Sequence, residues 1–262
     1  MSTHESYFEK FFGDPIYLEF KNHFYNYLRR KEVIGCELSS VKPGILLEIG
    51  CGISPVTPPG PEVVYTDLSS TAVAYLKAIG RIHKGVAMSA AAIPFCDASI
   101  STVVCAEVLE HIPDDEQALR EIRRILRIGG DLILTVPINP RYYSHDDAFV
   151  KHCRRYDLTA FVSQLRRMGF SITKIRKVSG LLDKFGLLVG VYLFRFVRAL
   201  KMDQFRSANA GLSKGILPLY KALNWLFFQL VKAEIQIMPN AVVTDLLIRC
   251  TKTAPHSNTR RV

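Results

Sequence analysis

Closely spaced cysteine pairs are missing from this sequence. Its six cysteines lie far apart and form no C-x-x-C pair. Zinc sites of the structural class use closely spaced cysteine and histidine ligands, so we predict no metal site. Several cysteines fall in apolar segments that resemble buried strands, where free thiols are common. We therefore expect the protein to reside in a reducing compartment.

Long apolar runs are also missing from the C-terminal third. Within residues 180–238, the longest stretches without a charged residue are 185–194 and 222–231. A helix that spans a bilayer needs about 20 apolar residues, so we expect no span in this segment. Residues 1–10 are polar and charged and contain no apolar signal core. The sequence thus predicts a cytoplasmic protein.

The positive charge is unevenly distributed along the 262 residues. The net charge is +10, and residues 180–262 carry six Lys and six Arg against three Asp and one Glu. The C-terminal third therefore holds most of the excess. Within it, basic residues alternate with large aliphatic residues rather than forming a polar stripe with exposed aromatics, which disfavours nucleic acid as a partner.

A glycine turn after an apolar strand is the most informative local feature. Residues 45–49 are apolar except for Glu48, and Gly50 and Gly52 follow directly. Such a turn lets backbone groups approach a ligand because no Cβ intervenes. A dinucleotide fingerprint would require Gly or Ala at position 55, which is Pro55. Pro55 therefore weakens the interpretation of this turn as a dinucleotide fingerprint.

Further motifs follow in a fixed order. They are Asp67 at the end of a second apolar segment, Ile93-Pro94-Phe95, Val108-Leu109-Glu110-His111-Ile112, and Arg124-Ile125-Leu126-Arg127-Ile128-Gly129-Gly130. Together with the glycine turn, this set resembles the type 11 methyltransferase domain of the class I S-adenosylmethionine (SAM) dependent methyltransferases. The resemblance covers about residues 40–178.

The expected fold is α/β, a doubly wound, mostly parallel seven-stranded sheet of Rossmann-like methyltransferase type. Alternating patterns predict strands at 45–49, 63–67, 84–88, 101–106, 131–137, 171–178 and 241–250. Helices are predicted at 69–79, 114–127 and 157–168, and an earlier helical region at 7–31. The resemblance implies that the last strand is antiparallel and lies between strands five and six. Four prolines between Gly52 and Val63 exclude the helix that usually follows the first motif.

The predicted organisation has five parts. They are a helical cap at 1–34, a SAM-binding core at 35–179, a basic apolar helical insertion at 180–238, the final core strand at 239–252 and a flexible tail at 253–262. The insertion shows two amphipathic patterns, which fit an interfacial membrane helix pair, a lid over the core or a dimer contact. The sequence leaves the oligomeric state open.

The resemblance assigns the cofactor SAM to a defined set of residues. Asp67 is expected to bind the ribose hydroxyls and Glu48 the methionine amino group. The expected cofactor-binding residues are Glu48, Gly50, Cys51, Gly52, Asp67, Leu68, Ser89, Ala90, Cys105 and Ala106. Ser89 stands where the family often has an acid that contacts the adenine.

Candidates for chemistry lie on the loops after strands four and five. The candidate catalytic residues are Glu107, His111 and His145, and the candidate substrate-binding residues are Tyr142, His152, Arg154, Arg155 and Tyr156. Two adjacent arginines can bind a phosphate or carboxylate, or they can anchor the loop through ion pairs.

The predicted function is methyl transfer from SAM to a small hydrophobic or lipid-linked acceptor, at an anionic membrane surface on the cytoplasmic side. Alternatives are an RNA or protein methyltransferase, suggested by the basic composition, and a non-catalytic SAM-binding membrane adaptor, suggested by Ser89 and the missing helix.

Overall fold

The computed structural model describes Glu9 and residues 22–188, 210–239 and 242–254, with residues 210–217 described by their backbone alone. The strands of the described part are β1 Leu46–Ile49, β2 Val63–Asp67, β3 Lys84–Ala87, β4 Ile100–Ala106, β5 Leu126–Pro137, β6 Phe170–Ser179 and β7 Asp245–Lys252. The helices are α1 Tyr25–Leu38, α2 Ser70–Ala78, α3 Asp115–Ile125, α4 His145–Phe149, α5 Leu158–Arg167 and α6 Ala210–Ile237. Short 3-10 turns occupy Leu109–His111 and Pro140–Tyr142.

One seven-stranded sheet organises the molecule, in the order β3-β2-β1-β4-β5-β7-β6. β1 to β5 pair in parallel, whereas β7 runs antiparallel to both β5 and β6. The predicted fold class is confirmed, including the inserted antiparallel strand. The central strands are buried on both faces, which explains their continuous apolar sequences.

Strand β5 begins earlier than predicted. Helix α3 ends at Ile125, and Leu126 already pairs with Ile100, whereas the sequence suggested a helix to 127 and a strand from 131. The register then shifts before Thr102 pairs with Asp131. Gly129 adopts a φ of 73° within this irregularity, so the glycines shape a bulge in the strand rather than a loop before it.

Helix α1 runs further than the predicted end at residue 31. It continues to Leu38 because Val33 and Ile34 are buried in a cluster with Val104 and Leu247 of the sheet. Packing on the sheet therefore extends the helix past its aromatic-rich start. Apart from Glu9, the predicted helical region before residue 22 lies outside the described residues.

The segment between β1 and β2 is irregular, as its prolines predicted. No helix interrupts residues 50–62, all of which the structure describes. The long loop after β5 is more ordered than predicted. It contains the 3-10 turn and α4, and α4 starts with a capping box in which Ser144 and Asp147 satisfy each other's backbone groups.

The second amphipathic pattern of the predicted insertion lies on α6, which packs against α1 and β6. Residues 181–188 are helical, but the rest of the first pattern lies outside the described residues. Among the helices in the described part, none is both long and apolar enough to cross a bilayer. The predicted segment boundaries remain predictions, and the tail beyond Ala254 lies outside the described residues.

Candidate active site

The candidate site lies at the carboxyl edge of the sheet, where the strand order reverses. β1 pairs with β2 on one side and with β4 on the other, and the chain leaves these strands at Ile49, Asp67 and Ala106. In open α/β sheets, ligands bind in the crevice at such a switch point. The topology therefore brings the glycine turn, Asp67 and the loop after β4 to one place.

The glycine turn after β1 needs its glycines. Gly50 and Gly52 have φ values of 74° and 50°, in the left-handed region. A Cβ on Gly50 would lie 2.2 Å from Cγ2 of Val108, so the loop after β4 approaches the turn closely. The amides of Gly50 and Cys51 both donate to the Thr66 carbonyl, at 2.8 and 2.9 Å. These bonds hold the turn against β2.

Asp67 ties the turn to the end of β2. Its Oδ2 accepts from the Gly52 amide at 2.7 Å, and its Oδ1 accepts from the Ser69 amide at 2.8 Å. The residue is 8% exposed. Because each carboxylate oxygen can accept more than one hydrogen bond, this arrangement is compatible with a ribose hydroxyl as a further donor.

Glu48 is bound within the loop that follows β1. Oε1 accepts from the Val56 amide at 2.8 Å, and Oε2 accepts from the Thr57 amide at 2.9 Å and from the Thr57 hydroxyl. Burial raises the pKa of Glu48 to about 7, although these hydrogen bonds and the charge of Lys31 oppose the rise. The carboxylate therefore fixes the proline-rich loop, and its contact with the SAM amino group remains a prediction.

The other predicted cofactor residues line the same edge with different exposures. Leu68 is 38% exposed directly after Asp67, whereas Ala90 is buried and the Ser89 hydroxyl accepts from the Ala91 amide. Cys51 and Cys105 are buried, and Ala106 is the half-buried last residue of β4. Burial raises the pKa of the Cys105 thiol, so this cysteine packs as a neutral, apolar side chain.

Helix α1 adds residues that the sequence reasoning missed. Lys31 Nζ donates to Ser54 Oγ at 3.2 Å, and Arg30 Nη2 lies 3.8 Å from Glu107 Oε2. The Arg30 guanidinium carbon lies 5.3 Å from the centroid of the Tyr27 ring. Burial raises the pKa of Tyr27, while the charge of the neighbouring Arg30 opposes the rise. Tyr27 and Arg30 thus face the cleft, and no local motif marks them.

The predicted catalytic residues have contrasting settings. Glu107 follows β4 with a φ of 55°, and its amide donates to the Thr135 carbonyl at 3.0 Å. Burial raises the pKa of Glu107, while the charge of Arg30 opposes the rise. His145 is exposed at the first position of α4. Glu107 is therefore a largely enclosed acid next to the switch point, and the three catalytic roles remain predictions.

His111 and His152 come together from different loops. Their ring centroids are 4.7 Å apart, and His152 Nδ1 lies 2.9 Å from Asp147 Oδ1. His152 Nε2 lies 3.8 Å from Oε1 of Glu110, a residue with no exposed surface. Burial, with the added charge of Glu107, raises the pKa of Glu110 well above its usual range. The sequence motifs did not predict a functional role for Glu110.

Arg155 is engaged inside the protein. Its Nε lies 2.8 Å from Asp147 Oδ1, and Nη1 donates to the carbonyls of Ile138 and Thr244. Its side chain is 3% exposed. Asp147 is also bound by the buried Lys184, which links α4 to the helical segment 181–188.

Arg154 and Tyr156 bind the start of α3. Arg154 lies 3.0 Å from Asp115 Oδ1 and donates to the Pro113 carbonyl at 2.6 Å. The Tyr156 hydroxyl donates to Asp115 Oδ2 at 2.7 Å. These contacts favour the anchoring alternative for the two adjacent arginines. Tyr142 lies half-buried in the 3-10 turn, and its substrate role remains a prediction.

The central segment of the chain is similar to methyltransferases in two comparisons with known proteins. Residues 47–134 match the family model described as "Methyltransferase domain". Over 131 residues the chain is 28% identical to a Mycobacterium tuberculosis protein named "Probable S-adenosylmethionine-dependent methyltransferase", and the match covers 48% of each chain. The chain thus spans about half the length of this curated relative.

Solved structures share the architecture. A geranyl diphosphate methyltransferase in complex with SAM aligns with a TM-score of 0.56 and 15% identity, over 86% of this chain and 84% of that chain. The geranyl diphosphate C-methyltransferase of Streptomyces coelicolor A3(2), in complex with Mg²⁺, geranyl diphosphate and S-adenosyl-L-homocysteine, aligns with a TM-score of 0.53 and 14% identity, over 85% and 77%. At these identities the likeness establishes the Rossmann-like methyltransferase fold.

Proposed function

We propose that this chain is a class I SAM-dependent methyltransferase that transfers a methyl group from SAM to a small hydrophobic or lipid-linked acceptor at a membrane surface. The cofactor is SAM, as in the family. The acceptor class and the surface follow from residues outside the matched segment 47–134. The observation that carries them is an exposed apolar face on α6.

The residues at the switch point fit SAM. Glycines at 50 and 52 keep the turn free of Cβ atoms, and Asp67 presents a buried carboxylate where a ribose is expected. When bound, SAM supplies an activated methyl group on a sulfonium. The protein then has to position the acceptor in line and exclude water. Tyr27 and Arg30 on α1 suit the second task because they lie over the cleft.

One face of α6 is used for packing. Asn224 accepts a hydrogen bond from the Tyr25 amide at 3.1 Å, and the rings of Tyr25 and Phe227 lie 4.6 Å apart. Val231 and Ile235 continue this face and are buried. This spacing of three to four residues marks one side of the helix as its contact with the rest of the protein.

A second face of α6 is apolar and exposed. Leu219, Leu223, Leu226 and Leu230 recur at three or four residues, and their exposed fractions are 62%, 56%, 52% and 48%. Trp225, elsewhere on the surface of the same helix, is 59% exposed. An exposed apolar stripe of this length is typical of a surface that binds a membrane or another molecule.

A lipid surface is the occupant that we propose for this stripe. The C-terminal third carries six Lys and six Arg against three Asp and one Glu, and each well-placed basic residue contributes about 1 kcal/mol at an anionic leaflet. A helix with one apolar face and basic neighbours lies in the interface plane. The same surface would bring the cleft next to a lipid-linked acceptor. The two geranyl diphosphate methyltransferases that share the fold are named for a molecule with an apolar chain.

Vesicle binding tests the membrane part of the proposal. The double variant Leu223→Asp/Leu226→Asp should float with anionic vesicles roughly thirtyfold less well than the wild type, because about 2 kcal/mol of apolar insertion is lost. The matched control Ile79→Asp changes an apolar residue of 52% exposure directly after α2 and should float normally. Equal flotation of all three proteins, each still binding S-adenosylhomocysteine, would contradict the membrane reading.

Methyl transfer is tested with tritiated SAM and fractionated cell extract. We expect label to pass into the organic-soluble fraction. Label found in RNA or in protein would instead support the corresponding alternative. SAM binding without turnover in any fraction would support a non-catalytic adaptor.

A further inference from the structure

Three potential metal ligands meet beside the cleft. Glu110 and His111 come from the 3-10 turn after β4, and His152 comes from the loop after β5. Their ligand atoms all lie within 4.8 Å of one another. The Cys153 amide donates to the Glu110 carbonyl at 2.7 Å and ties the two loops together at this point.

Glu110 lacks the partners that a buried carboxylate requires. It has no exposed surface, and neither carboxylate oxygen has a hydrogen-bond partner. Within the cluster, Nε2 of His152 lies 3.8 Å from Oε1 of Glu110. A carboxylate that is buried without hydrogen bonds is costly unless a cation neutralises it. The position therefore suits a cation.

Both imidazoles are oriented by groups behind them. His152 Nδ1 lies 2.9 Å from Asp147 Oδ1, and His111 Nδ1 lies 3.3 Å from the Lys151 carbonyl. Carboxylate and carbonyl oxygens only accept, so Nδ1 of each ring donates, and in the neutral ring Nε2 then keeps the lone pair. Metal-bound histidines are oriented in this way, with the second nitrogen bonded to a carboxylate or a carbonyl.

Asp147 is itself held in place. It pairs with Arg155 Nε at 2.8 Å and with Lys184 Nζ. These two cations hold the Asp147 carboxylate in place against His152.

We propose that Glu110, His111 and His152 bind one divalent transition-metal ion. Two imidazoles and one carboxylate form a donor set that suits Zn²⁺, Fe²⁺ or Co²⁺ better than Mg²⁺ or Ca²⁺, which prefer oxygen ligands. Bond lengths of about 2.0–2.2 Å require small side-chain rotations from the present spacing. Three protein ligands leave coordination positions open on the metal for water or for an oxygen of the methyl acceptor. Only binding of the acceptor rests on the proposed methyl transfer.

Cobalt binding tests the proposal without any activity assay. Untagged protein is freed of metal with a chelator and titrated with Co²⁺, while its visible absorption and bound metal are measured. We expect one Co²⁺ per chain, with absorption bands that report nitrogen ligands. His152→Asn and Glu110→Gln should each weaken Co²⁺ binding by at least roughly 100-fold, and Asp147→Asn by roughly 10–100-fold as a positioning residue.

The matched control is His83→Asn, which removes one exposed imidazole just before β3 and should bind Co²⁺ normally. Binding of S-adenosylhomocysteine and the melting temperature show that each variant is folded. If wild-type protein binds this cofactor product but no Co²⁺, the metal site is refuted and the methyltransferase assignment is untouched. Folded His152→Asn that binds Co²⁺ as the wild type does would refute it equally.

If the variants fail to fold, a second measurement on the wild-type protein still tests the metal site. Diethyl pyrocarbonate modifies accessible imidazole nitrogens, and peptide mass spectrometry locates the product. We expect Co²⁺ to protect His111 and His152 but not His83. Equal modification with and without Co²⁺ would refute the proposal.

Discussion

Asp67 offers the most direct test of the cofactor site, because its two oxygens have separate donors. Oδ2 accepts from the Gly52 amide at 2.7 Å and Oδ1 accepts from the Ser69 amide at 2.8 Å. Asparagine has the same shape but only one acceptor oxygen. In Asp67→Asn, one of the two amides must therefore face an NH₂ group and lose its partner.

Two separate losses follow from this change. A buried amide left without an acceptor costs about 1–3 kcal/mol of folding free energy. A ribose hydroxyl that loses a charged acceptor weakens cofactor binding by a further amount of about 2 kcal/mol, or roughly thirtyfold in Kd. The first loss acts on the free protein as well as on the complex. Only the second depends on the ribose hydroxyls of the ligand.

Calorimetry with two ligands separates the losses. Asp67→Asn should bind S-adenosylhomocysteine roughly thirtyfold more weakly than the wild type. For an analogue of S-adenosylhomocysteine that lacks the ribose hydroxyls, the affinities of the two proteins should differ much less. Asp97→Asn is the matched control, because Asp97 is an exposed carboxylate paired with Arg124 at 2.7 Å. This control should bind both ligands as the wild type does.

Two results would refute the reasoning in different ways. An equal loss for both ligands would mean that Asp67 acts only by holding the glycine turn. No loss for either ligand would mean that the cofactor does not contact the end of β2. Urea unfolding of the same proteins measures the first loss independently.

The sheet was predictable because its signals are local. β2 has the predicted bounds Val63–Asp67, since an apolar run followed by a capped helix needs no distant information. The start of β5 was not predictable. Leu126 becomes a strand residue because it pairs with Ile100, and the bulge that follows depends on the partner strand.

The sequence predicted which residue types form the candidate site, but not their hydrogen-bond and ion-pair partners. The sequence identifies Glu48 as an acid after an apolar strand, yet the partners at Val56 and Thr57 depend on the path of an irregular loop. Similarly, the adjacent Arg154 and Arg155 were compatible with anion binding or with loop anchoring, and the carbonyl of Thr244 on a distant segment is one of the partners that engage Arg155. Partners far along the chain leave no trace in local spacing.

Two further predictions concern these residues. Burial raises the pKa of Glu48 to about 7, so its contribution to stability is full below about pH 4.5 and is lost as the pH rises through 7. Between pH 5 and 8, wild-type protein should therefore lose up to about 3 kcal/mol more unfolding free energy than Glu48→Gln, and parallel urea curves would contradict this. Arg155→Gln should lower Tm by several degrees, because it removes one partner of the buried Asp147 at a cost of about 3 kcal/mol. Arg154→Gln should change Tm little, because its side chain is 35% exposed and such pairs contribute about 0–1 kcal/mol. An unchanged Tm for both variants, combined with a raised KM for the acceptor and normal SAM affinity, would instead show that the arginines bind the acceptor.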